Sequence, residues 1–133
     1  MQERYLFKAK RISDAQWIEG YLIYSFTGVP FIITEYDHIL AIVARDEIDP
    51  ETICQCTGLK DKNGNLIWEN DIMEAHLYDK FPEDATRTRV VWDKNAWVTN
   101  EPGTVDREYL DEFYTEHFYV IGNVFDNPEL VVE

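Results

Sequence analysis

A chain of 133 residues with 45% hydrophobic and 14% aromatic content is globular in composition and long enough for one domain. Chains near this size bury about two thirds of their unfolded surface, so the core needs no metal or disulfide to form. The 26 acids against 12 bases give a net charge of −14, which opposes approach to a nucleic-acid backbone. The excess is mostly carboxy-terminal: residues 51–133 hold 18 acids and 7 bases, residues 1–50 hold 8 and 5. Met1 to Phe7 lacks the apolar core of a signal peptide, and the longest apolar run, Ile39 to Ala44, is too short for a membrane span. A soluble intracellular protein is expected.

Arg4 to Lys10 alternates, with Tyr5, Phe7 and Ala9 on one side and Leu6, Lys8 and Lys10 on the other, and predicts a strand. Ser13 to Gln16 is a polar turn. Trp17 to Tyr24 predicts a second strand, in which Gly20 marks a bend or bulge. Thr27-Gly28-Val29-Pro30 is turn chemistry, followed by strands at Phe31 to Thr34 and Ile39 to Ala44. Asp49 is placed to cap a single helical turn that opens at Pro50. Ile53 to Gly58 is extended.

Leu66 to Trp68 and Asp71 to Leu77 predict strands beyond the hairpin turn Asp61-Lys62-Asn63-Gly64. Asp61 can accept a bond from the turn backbone, while Asn63 and Gly64 tolerate positive φ. Asn70, between two extended pieces, can enter the left-handed region and kink the chain. Asp79 to Ala85 is a polar loop. Thr86 to Trp92 and Trp97 to Asn100 predict a hairpin about Asp93 to Ala96, and Glu101-Pro102-Gly103 is a break. Thr104 to Glu116 reads two ways. Val105, Tyr109 and Phe113 recur at spacing four, as do Leu110 and Tyr114, which fits an amphipathic helix, while the aromatic content also allows a strand. Phe118 to Val124 predicts a strand, and Asn127 caps a last helical turn at Pro128. Many short strands between Gly, Pro, Asn and Asp turns predict a mainly β barrel or sandwich with one or two short helical turns. No segment supplies the crossover helices of a parallel α/β fold.

Cys54 and Cys56, two apart in a strand, would hold their Cα atoms about 6.7 Å apart with nearly parallel side chains, which disfavours a bridge. Two reduced thiols, at least one in the core, are expected. His38, His76 and His117 are isolated and show no metal-ligand spacing, so no metal and no cofactor is expected. Reading Asp61, Asn63 and Asn65 as calcium ligands puts Leu66 where an EF-hand needs Gly and Ile72 where it needs Glu. Glu69 and Asp71 form a candidate carboxylate pair, but nothing convergent accompanies them and surface acids explain them better. No nucleophile elbow, P-loop or dinucleotide fingerprint is present, so no catalytic residue is assigned. Trp17, Trp68, Trp92 and Trp97 are read as core or rim residues.

Three blocks of the chain carry a resemblance. The first is Phe7-Lys8-Ala9 with Trp17-Ile18-Glu19-Gly20-Tyr21-Leu22. The second and most specific runs from Ile48-Asp49-Pro50-Glu51-Thr52-Ile53 through Gln55 and Thr57-Gly58-Leu59-Lys60-Asp61-Lys62-Asn63-Gly64 to Ile67, Glu69, Asp71 and Ile72. The third is Ile121-Gly122-Asn123-Val124-Phe125-Asp126-Asn127-Pro128-Glu129-Leu130. Together they resemble the YopX family of phage and prophage proteins. Cys56 departs from the usual aromatic before Thr57-Gly58, and Asn70 from the usual Gly between Glu69 and Asp71. The resemblance implies a small SH3-like β-barrel with additional strands, residues 1–133 as a single YopX-like domain, and a phage or prophage gene acting in the bacterial host cytoplasm. It carries over no catalytic residue.

The run from Tyr109 to Tyr119 mixes acids with aromatics. It reads either as one element covering the core or as an interface, with Tyr109, Asp111, Glu112, Phe113, Tyr114 and Glu116 as partner-binding residues. The leading function is a non-catalytic accessory protein that acts through contacts with a host or phage protein. The alternatives are an acidic mimic of nucleic acid that inhibits a host protein, and an uncharacterised enzyme or nucleic-acid-processing factor. A homo-oligomer is compatible with the sequence. The densest basic stretch, Lys8 to Arg11, holds three bases. No appreciable affinity for DNA or RNA is therefore expected near physiological salt. Titration against labelled duplex and single strands at two salt concentrations checks this; tight, salt-sensitive binding would show that bases converge in three dimensions.

Overall fold

The computed structural model describes residues 3–36, 42–77, 81 and 83–131. The chain packs as two compact units, Met1–Cys56 and Thr57–Glu133.

In the first unit β1 (Phe7–Lys10), β2 (Trp17–Tyr24), β3 (Pro30–Tyr36) and β4 (Ile42–Glu47) lie antiparallel in the order β4-β3-β2-β1. The start of β5 (Cys54–Lys60) pairs with β1. A short 3-10 turn at Glu3–Tyr5 delays β1, so the strand expected from Arg4 begins at Phe7. The strand expected at Ile39 to Ala44 is found at Ile42–Glu47, and residues 39–41 fall outside the described residues. Alternation in β1 sets the core. Ala9 is fully buried with Ile32 and Ile48, and Phe7, Ile18, Leu22 and Ile53 pack around them.

Gly20 does not bulge β2, since it pairs with Phe7 in regular register. The irregularity lies in β3, where the register against β4 shifts between Ile33 and Glu35. A Cβ on Gly20 would collide with the Ile33 carbonyl oxygen, so the missing side chain lets β3 close onto β2 beside its own bulge. After β4, Asp49 caps the turn Pro50–Thr52 by accepting from the Glu51 amide at 3.0 Å. Thr52 Oγ1 accepts from the Lys10 amide at 2.9 Å and ties that turn to β1. Cys54 and Cys56 are both buried and unbridged, and the Cys54 thiol donates to the Thr52 carbonyl.

The second unit opens with a hairpin from the end of β5 to β6 (Leu66–Trp68). Asp61 organises its tip. Its Oδ1 accepts from the amides of Asn63 and Asn65 at 2.9 Å, and its Oδ2 accepts from the Val120 amide at 2.9 Å. Gly64 takes a positive φ of 84°, whereas Asn63 does not need one. At the next corner Asn70 takes a φ of 70°, a conformation open to Asn at modest cost. Asp71, expected at the surface, is buried instead, and its Oδ2 accepts from the Trp68 amide at 2.8 Å.

That corner turns the chain from β6 into β7 (Asp71–Ala75), the first strand in chain order of a new sheet. β8 (Thr86–Asp93), β9 (Ala96–Asn100), β10 (Arg107–Tyr109) and β11 (Tyr119–Asn123) complete it in the order β10-β9-β8-β7-β11. The expected loop at Asp79 to Ala85 lies partly outside the described residues. The strands thus form antiparallel sheets and not the closed SH3-like barrel expected. The reason is local: the Asn70–Asp71 corner redirects the chain into a second sheet, whose end strands β10 and β11 are not paired with each other. Ile67, Met73, Ala75, Val90, Leu110, Tyr114 and Phe118 form its core. Trp68 is buried and Trp97 packs on that core, but Trp92 is half exposed, edge-on to Trp97 at 5.0 Å. Trp17 is likewise only half-buried. The last described element is the 3-10 turn Pro128–Val131.

Replacing Asp61 by Ala leaves three partly buried amides without their acceptor and is expected to lower stability by about 2–3 kcal/mol. The reading is a lower urea midpoint at unchanged slope. Asp61→Asn, which keeps one acceptor oxygen, should lose about half as much. An Ala variant within about 0.5 kcal/mol of the parent would show that the carboxylate is dispensable.

Candidate functional site

The acidic, aromatic run belongs to three elements rather than one. Gly103 turns the chain after β9, with the Thr104 amide and hydroxyl both donating to the Glu101 carbonyl. The Asn100 side-chain amide donates to the carbonyls of Thr104 and Asp106 and holds the loop closed. The chain then pairs as β10 beside β9, Glu108 opposite Thr99 and Tyr109 opposite Val98. Asp111 stops the strand and starts α1 (Glu112–His117), its carboxylate accepting from the Phe113 amide at 3.1 Å. The stretch from Thr104 to Glu116 is therefore neither a single helix nor a single strand. The Asp111 cap divides it.

This division sorts the two rows of residues at spacing four. Leu110 and Tyr114, with Phe118 four further on, enter the core. Tyr109 and Phe113 stay outside, 69% and 45% exposed. The His117 ring lies over Phe113 at 4.8 Å, and Phe113 meets Tyr114 edge-on at 5.4 Å. The ring of Phe113 is thus held on the surface by aromatic neighbours. Asp111, Glu112 and Glu116 are exposed around it. Of the six residues assigned to partner binding, five are exposed: Asp111, Glu112, Phe113 and Glu116 at α1, and Tyr109 on β10, where it shares the strand face of Val98 rather than that of Glu108. Tyr114 is not; it is 7% exposed, and its hydroxyl donates to Glu108 Oε2 at 2.6 Å. Burial, then the Glu108 carboxylate, pushes the Tyr114 phenol up to about 12.

Two concavities flank β10. One, of about 290 Å³, lies between the β8–β9 turn and β10, with Lys94, Asn95 and Ala96 facing Arg107 and Tyr109. The other, of about 120 Å³, has Glu101, Asp106 and Glu108 around Thr99, Thr104 and Tyr114. Neither contains a His, Cys or Ser. Among the described residues no group of three or more His, Cys, Asp or Glu is placed to hold a metal ion, and no helix is long and apolar enough to cross a membrane.

Two arrangements were not read from the sequence. On the second unit, Glu74 accepts from Arg87 Nε at 3.0 Å and from the Tyr119 hydroxyl at 3.1 Å, across three adjacent strands. Desolvation, then the Glu74 hydrogen bond, raises the Tyr119 phenol above its ordinary range. On the first unit, the sheet face opposite the core carries Lys8 and Lys10 on β1, Trp17, Tyr21 and Ile23 on β2, Phe31 and Ile33 on β3, and Arg45 on β4. Lys8 and Lys10 Nζ stand 4.9 and 5.4 Å from the Trp17 ring, and the Arg45 guanidinium 4.9 Å from Phe31. The alternation Phe7-Lys8-Ala9-Lys10 held the signal for half of this face. Arg45 joins it only through pairing.

The model of the YopX protein family matches residues 7–132, nearly the whole chain. A crystal structure of protein EF1440 from Enterococcus faecalis is similar, with a TM-score of 0.61 and 25% identity over 94% of this chain and 96% of that one. No curated protein sequence matches the chain.

The Tyr114 phenol supplies a pH signature. A phenol raised in the folded state stabilises the fold below the unfolded value of 10 and loses that contribution as pH rises from 10 through about 12. Ultraviolet titration of the folded protein should show one phenol ionising near 12, and Glu108→Gln should lower it while leaving it above 10, because burial is the larger cause. A Tyr114→Phe variant that retains the late phenol would reassign it.

Proposed function

We propose a function from one premise: the chain belongs to the YopX protein family. We read residues 1–133 as one YopX-like domain of a non-catalytic phage or prophage accessory protein that works by protein contact in the host cytoplasm. The observation that carries this reading is that one segment of eight residues exposes two rings, Tyr109 and Phe113, together with three carboxylates, Asp111, Glu112 and Glu116. Aromatic rings on a capped helix and a paired strand are rigid anchors that lose little entropy on docking. Carboxylates around them speed encounter with a basic surface and reject an acidic one. The concavity among Glu101, Asp106 and Glu108 suits a single Lys or Arg side chain of such a partner. These same carboxylates favour, as the second reading, an acidic inhibitor that occupies a nucleic-acid-binding surface on a host protein.

The test is affinity capture from bacterial lysate, with mass spectrometry, using the parent chain and two variants, Phe113→Ala and Glu112→Lys/Glu116→Lys. Partners captured by the parent should bind each variant about tenfold more weakly or worse, with each variant still unfolding cooperatively above the capture temperature. Equal capture by all three would remove this surface from the function.

A further inference from the structure

The cationic face of the first unit is the opposite of the molecule's overall charge. Three of the five bases in residues 1–50, Lys8, Lys10 and Arg45, converge on it, and two acids, Glu19 and Glu47, share it. Its centre is apolar. Tyr21 and Ile23 of β2 stand opposite Ile33 and Phe31 of β3, and all four are half-buried. Bases flank this belt on both sides, the lysines on β1 and Arg45 on β4. At β5 the face is closed, since Cys54, opposite Lys8, is buried.

We propose that a second copy of this chain docks here with its own acidic, aromatic segment, Tyr109 to Glu116; this rests on reading that segment as a contact surface. The two surfaces are complementary in charge and in apolar content. The segment offers Asp111, Glu112 and Glu116 and no Lys or Arg, against Lys8, Lys10 and Arg45. It offers exposed rings, Tyr109 and Phe113, against an apolar belt edged by Trp17 and Phe31. A polyanion such as nucleic acid suits the face less well. It would meet the repulsion of the whole −14 chain for the sake of three bases, and aliphatic Ile23 and Ile33 are not stacking platforms. The contact joins two different surfaces, so two reciprocal contacts close a dimer, and a single one propagates as an open chain.

Sedimentation equilibrium on the full chain tests this. The parent should associate reversibly at micromolar concentration. Lys8→Glu/Arg45→Glu and Glu112→Lys/Glu116→Lys should each weaken self-association about tenfold or more. Lys60→Glu/Lys62→Glu, with the same change in net charge at exposed positions off the face, should stay within about twofold. Mixing the two weakened variants should restore association, because each supplies the surface that the other lacks and the reversed pair is again complementary. That rescue is something a folding defect cannot produce. A parent that stays monomeric to millimolar concentration, or a mixture that stays monomeric, overturns the proposal. Binding of a decathymidylate probe that Lys8→Glu/Arg45→Glu abolishes, without self-association, also overturns it and assigns the face to single strands. If the parent is monomeric yet the Glu112/Glu116 variant loses a heterologous partner, this inference fails while the reading of the acidic segment stands.

Discussion

Asp61 places a carboxylate in a position only 5% exposed, and the three hydrogen bonds it accepts all come from backbone amides. A buried charge is tolerable only when its oxygens are satisfied, and amide donors do this without bringing a second charge that must itself be desolvated. Two of the donors belong to the hairpin tip and the third to β11, 59 residues on. The same side chain therefore shapes a local turn and fastens the last strand of the sheet. The Lys62 amide adds a second tie by donating to the Phe118 carbonyl at 3.0 Å. Phe118 is fully seated in the core directly before β11, so the carboxylate also fixes where α1 ends and the strand begins.

The corner at Asn70 and Asp71 works on the same principle with different groups. Asn70 has its amide bonded to the Val90 carbonyl and its carbonyl bonded to the Val124 amide, while its side chain accepts from Arg89 at 2.8 Å. A residue with positive φ in a strand-to-strand corner would expose two backbone groups. Here one is matched by β8 and the other by the turn directly after β11, which is what makes the left-handed conformation tolerable. Asp71 then satisfies the Trp68 amide. Polar side chains at this corner thus replace the ladder bonds that the kink removes.

Function follows from where this framework leaves side chains over. The sheet of the second unit holds Leu110, Tyr114 and Phe118 inside, and by doing so turns Tyr109 and Phe113 outward. In the first unit, burying Ala9 commits Lys8 and Lys10 to the opposite face. The result is one acidic and one cationic aromatic surface on a single chain. Each is a by-product of strand alternation and a single helix cap, and each has the composition that protein interfaces favour at their centres.

The residues alone determined the features whose causes are local. The β1 alternation, the Asp49 cap with Pro50, the turn at Asp61 to Gly64, the left-handed Asn70 and the hairpin about Lys94 all arise from interactions within a few residues. The family signature belongs in the same group, because its second block is itself this sequence of caps and turns. Tertiary structure decided what depends on distant partners. Whether Asp71 lay in water or in the core could not be read from its neighbours, since burial is set by how the sheet stacks. The bulge fell in β3 rather than at Gly20, because a glycine reports that something approaches and not which strand bends. The split of Thr104 to Glu116 was hidden because β10 exists only through pairing with β9, a contact that local periodicity does not encode. Arg45 and Lys8, 37 residues apart, became one surface only when four strands took their order, for charge in a sequence has sign but no position until the sheet assigns one.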